Sequence, residues 1–155
     1  MHDAAEYLAM GQLLRRNILA YKTPPRNEGY DLICIHPDPR RRTKVILVQV
    51  KSRYQTDSDR SVFVREESFS GFDYLVIVLL NIGWYYDPET HRPRSGRKGI
   101  EFFTLPRSVA RRLHRPVKSG MNRVRTGGHD LEVLSTSKLS PPVTCLPLGW
   151  NPVPN

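Results

Sequence analysis

Lys44-Val-Ile-Leu-Val-Gln-Val-Lys-Ser-Arg-Tyr54 is an apolar run that is broken near its far end by Gln49 and Lys51. Its character predicts a β-strand, in which side chains two positions apart share a face, so Val45, Leu47, Gln49 and Lys51 form one row and Ile46, Val48 and Val50 the other. A carboxamide and an ammonium therefore close a hydrophobic row together. Taking them out of water without partners is costly. Either the strand emerges into solvent, with Lys51 reaching water and Gln49 bonding backbone, or a site receives both groups.

The preceding segment brings a third polar group to the same place. Tyr30 to Ile35 reads as a short strand with Asp31 at its mouth, and His36-Pro-Asp-Pro-Arg40 and the arginines after it form a turn. Joined as an antiparallel hairpin, the two strands bring the start of the first beside the end of the second. Asp31 is then next to Gln49 and Lys51. The loop from Lys22 to Gly29, with its paired prolines, leads into this hairpin.

Residues from about Asp3 to Ala20 are predicted helical, with Tyr7, Met10, Leu14 and Ile18 at helical spacing. Glu6 lies beside that stripe and can face inward, where it needs a partner; Asp3 and Glu6 also have the spacing of a capping box. Downstream, Ser61 to Val64 reads as a brief strand. Tyr74 to Leu80 is an unbroken apolar run of the kind found in a central strand covered on both faces. Trp84 to Tyr86 and Ile100 to Leu105 are predicted strands, with an exposed basic loop, His91 to Gly99, between them. Pro106 can open a short basic helix carrying Val109 and Leu113.

At 155 residues the chain suits one compact domain, and no apolar run approaches the roughly 20 residues of a membrane-spanning helix. The expected division is a domain over 1–116 and a basic, then Pro-rich, C-terminal extension over 117–155. Cys34 and Cys145 are too few for a disulfide framework or a zinc motif, and the N-terminal stretch has no signal-peptide core, so a cytoplasmic, non-membrane protein is expected. The formal charge of +9 favours a polyanionic partner, with nucleic acid ahead of anionic membrane. The candidate phosphate contacts are Arg107, Arg111, Arg112, Arg115, Lys118, Arg123 and Arg125, whereas Arg40, Arg41 and Arg42 suit a solvated turn. The histidines lack metal-site spacing and read as exposed loop residues. No Walker-type phosphate loop is present, which disfavours nucleoside triphosphate hydrolysis.

A helix with Glu6, a strand opening on Asp31 and a strand closing on Gln49-x-Lys51, in that order, resembles the PD-(D/E)xK nuclease superfamily. The Asn27-Glu-Gly-Tyr-Asp31 and Val48-Gln-Val-Lys51-Ser segments resemble its QxK branch, seen in intron-encoded homing endonucleases and related bacterial and phage proteins. The likeness runs from Asp3 to Leu113 and leaves out the tail. It implies a restriction-endonuclease-like α/β fold, a mixed sheet flanked by helices, and a DNA endonuclease that works as a homo-oligomer. It also implies Mg²⁺, with Mn²⁺ able to substitute, held by Asp31, the Gln49 oxygen, the Val50 carbonyl and Glu6, with Lys51 acting on the attacking water or the transition state. Gln49 stands where the superfamily usually has a second acid, which leaves the negative charge to Asp31 and Glu6. A non-catalytic nucleic-acid-binding module on the same fold is the alternative. An assembly protein without DNA affinity is a third reading.

Overall fold

The strand that opens the sequence reading, β3 (Ile46–Arg53), is the middle of a five-stranded sheet. In the computed structural model, which describes residues 2–24, 27, 29–38, 40, 44–87, 89–116 and 122–124, the chain starts with α1 (His2–Leu14). It continues through β1 (Leu19–Lys22) and β2 (Leu32–Ile35) into β3. After β4 (Val62–Phe63) and a 3-10 turn, Glu66–Ser70, come β5 (Tyr74–Leu79), β6 (Ile82–Asp87), β7 (Arg92–Arg97) and β8 (Glu101–Pro106). Next are α2 (Arg107–Arg112), β9 (His114–Pro116) and β10 (Asn122–Val124).

The main sheet has the order β1-β2-β3-β5-β8. β3 runs antiparallel to β2 and parallel to β5, and β5 antiparallel to β8, so the sheet is mixed, as expected. The β2–β3 hairpin forms with Leu32 opposite Val48. All six residues of β5 are buried, in keeping with a strand covered on both faces. On one face, Ala5 and Ala9 of α1 pack with Leu32, Val48, Val50 and Val76. On the other, Leu75, Ile77 and Leu79 pack with Phe69, Phe72, Phe103, Leu105 and Val124. β10 joins this second layer by pairing with β4 and β9, which brings Val124 into the core.

The helix is shorter than its periodicity predicts, and it presents a different stripe. Tyr7 and Leu14 are exposed, and the buried line is Ala5 and Ala9 with Met10 and Leu13 partly covered. The two alanines let the helix backbone approach the sheet. The helix stops because Asn17 adopts a left-handed conformation (φ 57°). There the Ile18 N–H reaches the Leu13 carbonyl (3.1 Å) and the Asn17 N–H that of Leu14 (2.9 Å), the paired bonds of a Schellman ending. Ile18 then packs in the core with Leu13 against it, and Leu19 to Lys22 form an edge strand that a helical reading conceals. Asp3 lies inside the helix and not at its cap, so the capping-box spacing of Asp3 and Glu6 does not fall at the helix start.

Three smaller expectations are also corrected. The segment read as an exposed loop from His91 contains a strand, β7, which is indeed exposed but pairs with β6 over its whole length. Pro106 ends β8 and caps α2 where a first helical position was expected. His36 is buried and His114 nearly so, its ring set edge-on to Phe69 (4.9 Å) and bonded to the Val64 carbonyl (2.9 Å) and Glu66 (3.0 Å), where exposed loop histidines were expected. Cys34 is buried too, and that burial pushes its thiol up to about 12.

Candidate functional site

The hairpin register sets Leu32 against Val48, which brings the preceding residue, Asp31, alongside the Val48–Val50 stretch of β3. Asp31 sits just before β2. Its N–H donates to the Val48 carbonyl (2.8 Å), and its carboxylate Oδ2 accepts the Val50 N–H (2.7 Å). The carboxylate is thereby fixed against the backbone between Gln49 and Lys51. Among the described residues it forms no ion pair.

Gln49 and Lys51 are the register partners of Leu75 and Ile77 in the parallel neighbour β5, which places both on the second core's face. Gln49 is 6% exposed, and its Oε1 is buried with no hydrogen-bond partner among the described residues. A buried, unbonded carboxamide oxygen loses its hydration without return, typically about 1–3 kcal/mol. Lys51 is half-buried and lines an open groove of about 700 Å³ together with Gly29, Phe63, Arg65, Glu67, Ser68 and Gly71. An ammonium at the wall of an accessible groove can meet an anion there. The solvent-emergent strand end does not form at Gln49, because the carboxamide stays inside.

The groove owes its shape to a backbone contact that sequence reasoning missed. Gly29 has φ +98°, and a Cβ placed on Gly71 would lie 2.8 Å from the Gly29 Cα. Each glycine is followed by an aromatic residue and then an aspartate: Gly29-Tyr-Asp31 and Gly71-Phe-Asp73. The second aspartate mirrors the first. Asp73 accepts the Leu47 N–H of β3 (3.0 Å) from the β5 side, and its own N–H donates to the Leu47 carbonyl (2.8 Å). Unlike Asp31, it has a cation, Lys44, at 3.5 Å. The matching tripeptides are the signal that could have revealed the pair.

Glu6 faces inward as its position predicts, with 12% of its side chain exposed, and its partner is Lys22 at 3.1 Å. Lys22 also holds Asp3 (2.5 Å), and hydrogen bonds to Asp3, then Glu6, raise its ammonium above the ordinary value. The structure thus joins Asp31, Gln49 and Lys51 at one strand end, while Glu6 sits on the helix that packs against the opposite face. No three of His, Cys, Asp and Glu gather as a metal cluster among the described residues. The oxygens on offer to a hard cation are the Asp31 carboxylate and the orphaned Gln49 Oε1, a donor pair of the right chemistry for Mg²⁺, which keeps several waters.

The basic residues divide. Arg112 and Arg115 are exposed on and after α2, and Arg107 reaches the Phe69 carbonyl (3.4 Å). Arg111 pairs with Glu66 (3.2 Å) and lies over the Phe69 ring. Arg123 is ion-paired with Asp59, and its Nε is buried, so this guanidinium braces β10. Asp59 loses by burial but gains more from Ser61, Arg53 and Arg123, which leaves its carboxyl below the ordinary value. Lys118 and Arg125, like Arg41 and Arg42, lie outside the described residues. No helix of the described residues is long and apolar enough to cross a membrane.

No protein-family model and no curated protein matches the chain. Among solved structures the chain is similar to a bacterial homing endonuclease, I-Ssp6803I, at 20% identity and a TM-score of 0.47, over 83% of this chain and 75% of that one. A likeness of that depth fixes neither activity nor site residues.

Proposed function

We propose that the chain is a metal-dependent DNA endonuclease of the PD-(D/E)xK type, with its active site at the shared end of β2 and β3. One observation carries the reading: among the described residues the buried Gln49 Oε1 has no hydrogen-bond partner, on a strand segment that also carries the Asp31 carboxylate at the Val50 N–H and the Lys51 ammonium at the wall of an open groove. Asp31 and Gln49, with the Val50 carbonyl, would hold Mg²⁺ or Mn²⁺, whereas Glu6, engaged by Lys22 on the other face of the sheet, would not. When bound, such an ion supplies Lewis-acid stabilisation of the charge that builds on phosphate oxygens during hydrolysis.

The chain's own residues do the rest. The Val50 N–H holds the Asp31 carboxylate in one orientation, so its charge is positioned before substrate arrives. Lys51 faces the groove, where its ammonium orients the attacking water and offsets the negative charge of the transition state. The exposed Arg112 and Arg115, with Lys118 and Arg125, give the duplex backbone its cationic contacts. Each strand of a duplex needs its own site, so the enzyme works as a homo-oligomer.

A second reading, a non-catalytic nucleic-acid-binding module, draws on the Glu6–Lys22 pair, which occupies the second carboxylate. The two separate in one experiment. Supercoiled DNA is incubated with Mg²⁺, Mn²⁺ or EDTA and with wild type, Asp31→Asn or Lys51→Met, while binding is followed in parallel. Metal-dependent cutting that both substitutions abolish, with binding retained, supports the nuclease; tight binding with no cutting under any condition moves the assignment to the module.

A further inference from the structure

The two-stranded sheet β6–β7 stands apart from the main sheet, and the function proposed above leaves it without a role. All six residues of β7 are exposed, although a strand paired with a neighbour commonly buries one face. β7 contains Arg92, Arg94 and Arg97 and no acid. Arg94 pairs with Asp87 of β6 (3.0 Å), whereas Arg92 and Arg97 form no ion pair among the described residues. Side-chain alternation sends Arg92 and Arg94 to one face of the ribbon and Arg97, with Trp84, to the other. Trp84 is 49% exposed.

The ribbon is exposed, but its base is fixed. Asn81, 1% exposed and left-handed (φ 53°), turns the chain from β5 into β6. It accepts from the Thr56 hydroxyl (2.5 Å), and its amide donates to the Gly99 carbonyl (2.7 Å) and to Glu101 (3.0 Å). The Lys98 N–H at the far end of β7 returns to the Asn81 carbonyl (3.1 Å). Beyond this base, the Thr56 N–H bonds the Trp84 carbonyl (2.9 Å), and Thr56 bridges Tyr85. The strand extension that carries Lys51 therefore also aims the ribbon. Five residue steps lead from Lys51 to Thr56, at most roughly 17 Å at about 3.3 Å per residue. That is about half a turn of B-DNA.

We infer that the β6–β7 ribbon is a docking surface for duplex DNA and enters the major groove about half a helical turn from the bond addressed at Lys51. The inference rests on the nuclease reading for the identity of its partner. A two-stranded ribbon matches the width of that groove, whose walls are phosphates on both sides, and this ribbon presents guanidinium groups on both of its faces. Arginine can also take the guanine edge with two hydrogen bonds. An acidic protein or a second copy of the chain would be the rival occupant.

The test compares the full chain with a triple variant, Arg92→Ala, Arg94→Ala and Arg97→Ala, on a fluorescent 30-bp duplex across a salt series in EDTA. Single-turnover cleavage at saturating protein is measured alongside. The expected result is affinity at least tenfold weaker and a log–log salt slope smaller by about two to three, one counterion lost per arginine, with the cleavage rate at saturation unchanged. The corresponding triple lysine variant, which keeps the charge, should recover the salt slope. In a Trp150→Phe background, duplex should change the Trp84 emission. Unchanged affinity and slope in the alanine variant, with wild type still cutting, would overturn the ribbon alone. A change of oligomeric mass without a change in DNA binding would overturn it in favour of a second copy. Wild type that neither binds nor cuts duplex would instead strike at the nuclease reading.

Discussion

Two aspartates grip β3 from opposite sides, and their surroundings give them different chemistry. Asp31 and Asp73 each follow a glycine and an aromatic residue, each takes an N–H of β3, and their glycines touch. Asp73 is completed by Lys44, whereas among the described residues Asp31 has no cation, and Gln49 Oε1, on the strand it grips, has no hydrogen-bond partner. Equal local roles thus leave one carboxylate settled and the other available. A hydrogen bond to the backbone does not by itself mark a residue as structural or catalytic; the unmet needs of its neighbours do.

The sharpest way to break this comparison is to remove the charge from each aspartate and keep its oxygen. Asp31→Asn should lower single-turnover cleavage by about 100- to 1,000-fold, with a melting temperature close to wild type because the amide oxygen still accepts the Val50 N–H. Asp73→Asn should cut at nearly the wild-type rate. An equal loss in both would make the two aspartates equivalent and end the distinction.

Next in size is the contact between the two glycines. Gly71→Ala forces a Cβ onto the Gly29 backbone, which cannot rotate away, and should cost about 1–3 kcal/mol in urea unfolding. It should also slow cleavage, because Gly29 leads into Asp31 and both glycines line the groove beside Lys51. A stable, fully active variant would show that the contact does not shape the site.

The Gln49 oxygen gives a smaller effect with an unusual sign. Gln49→Leu removes a buried acceptor that no described residue satisfies, so the metal-free protein should be as stable as wild type or up to about 1 kcal/mol more so. Mg²⁺ should raise the wild-type melting temperature and leave that of the variant unmoved. A variant clearly less stable without metal would mean that the oxygen already has a partner.

The smallest effect comes from a carboxylate away from the pair. Burial alone would push Glu101 up, but the hydrogen bond and charge of Arg60, the charge of Lys98 and the Asn81 amide outweigh it and hold the group below its ordinary value. Its contribution to stability is therefore present above the ordinary carboxylate range and is lost as pH falls through the depressed value. Melting followed from pH 7 to pH 3 should show a decline that is shallower in Glu101→Gln. An identical decline in the two proteins would remove Glu101 from the acid response.

Much of this was legible in the chain. The apolar rows of Ile46 to Val50 and Tyr74 to Leu79 named two of the inner strands, but the polar break at Gln49 and Lys51 does not end the first of them, which stays paired with β5 as far as Arg53. The helix was misjudged because Leu14 and Ile18 continue its period past Asn17, and only the left-handed turn there stops it. β7 was missed because Arg-Pro-Arg-Ser-Gly-Arg has no apolar alternation; its strand state comes from pairing with β6 and buries nothing.

The sequence by itself determined which polar groups lie together, since residue type and spacing fix which groups share a strand face and which end of a hairpin they reach. Only the tertiary structure decided which of them are already answered. Lys22 claims Glu6, Lys44 claims Asp73, Asp59 claims Arg123, and none of these partners is a sequence neighbour. Whether a polar group is satisfied depends on what the fold carries to within about 3 Å of it, and that proximity is a property of packing, not of local spacing.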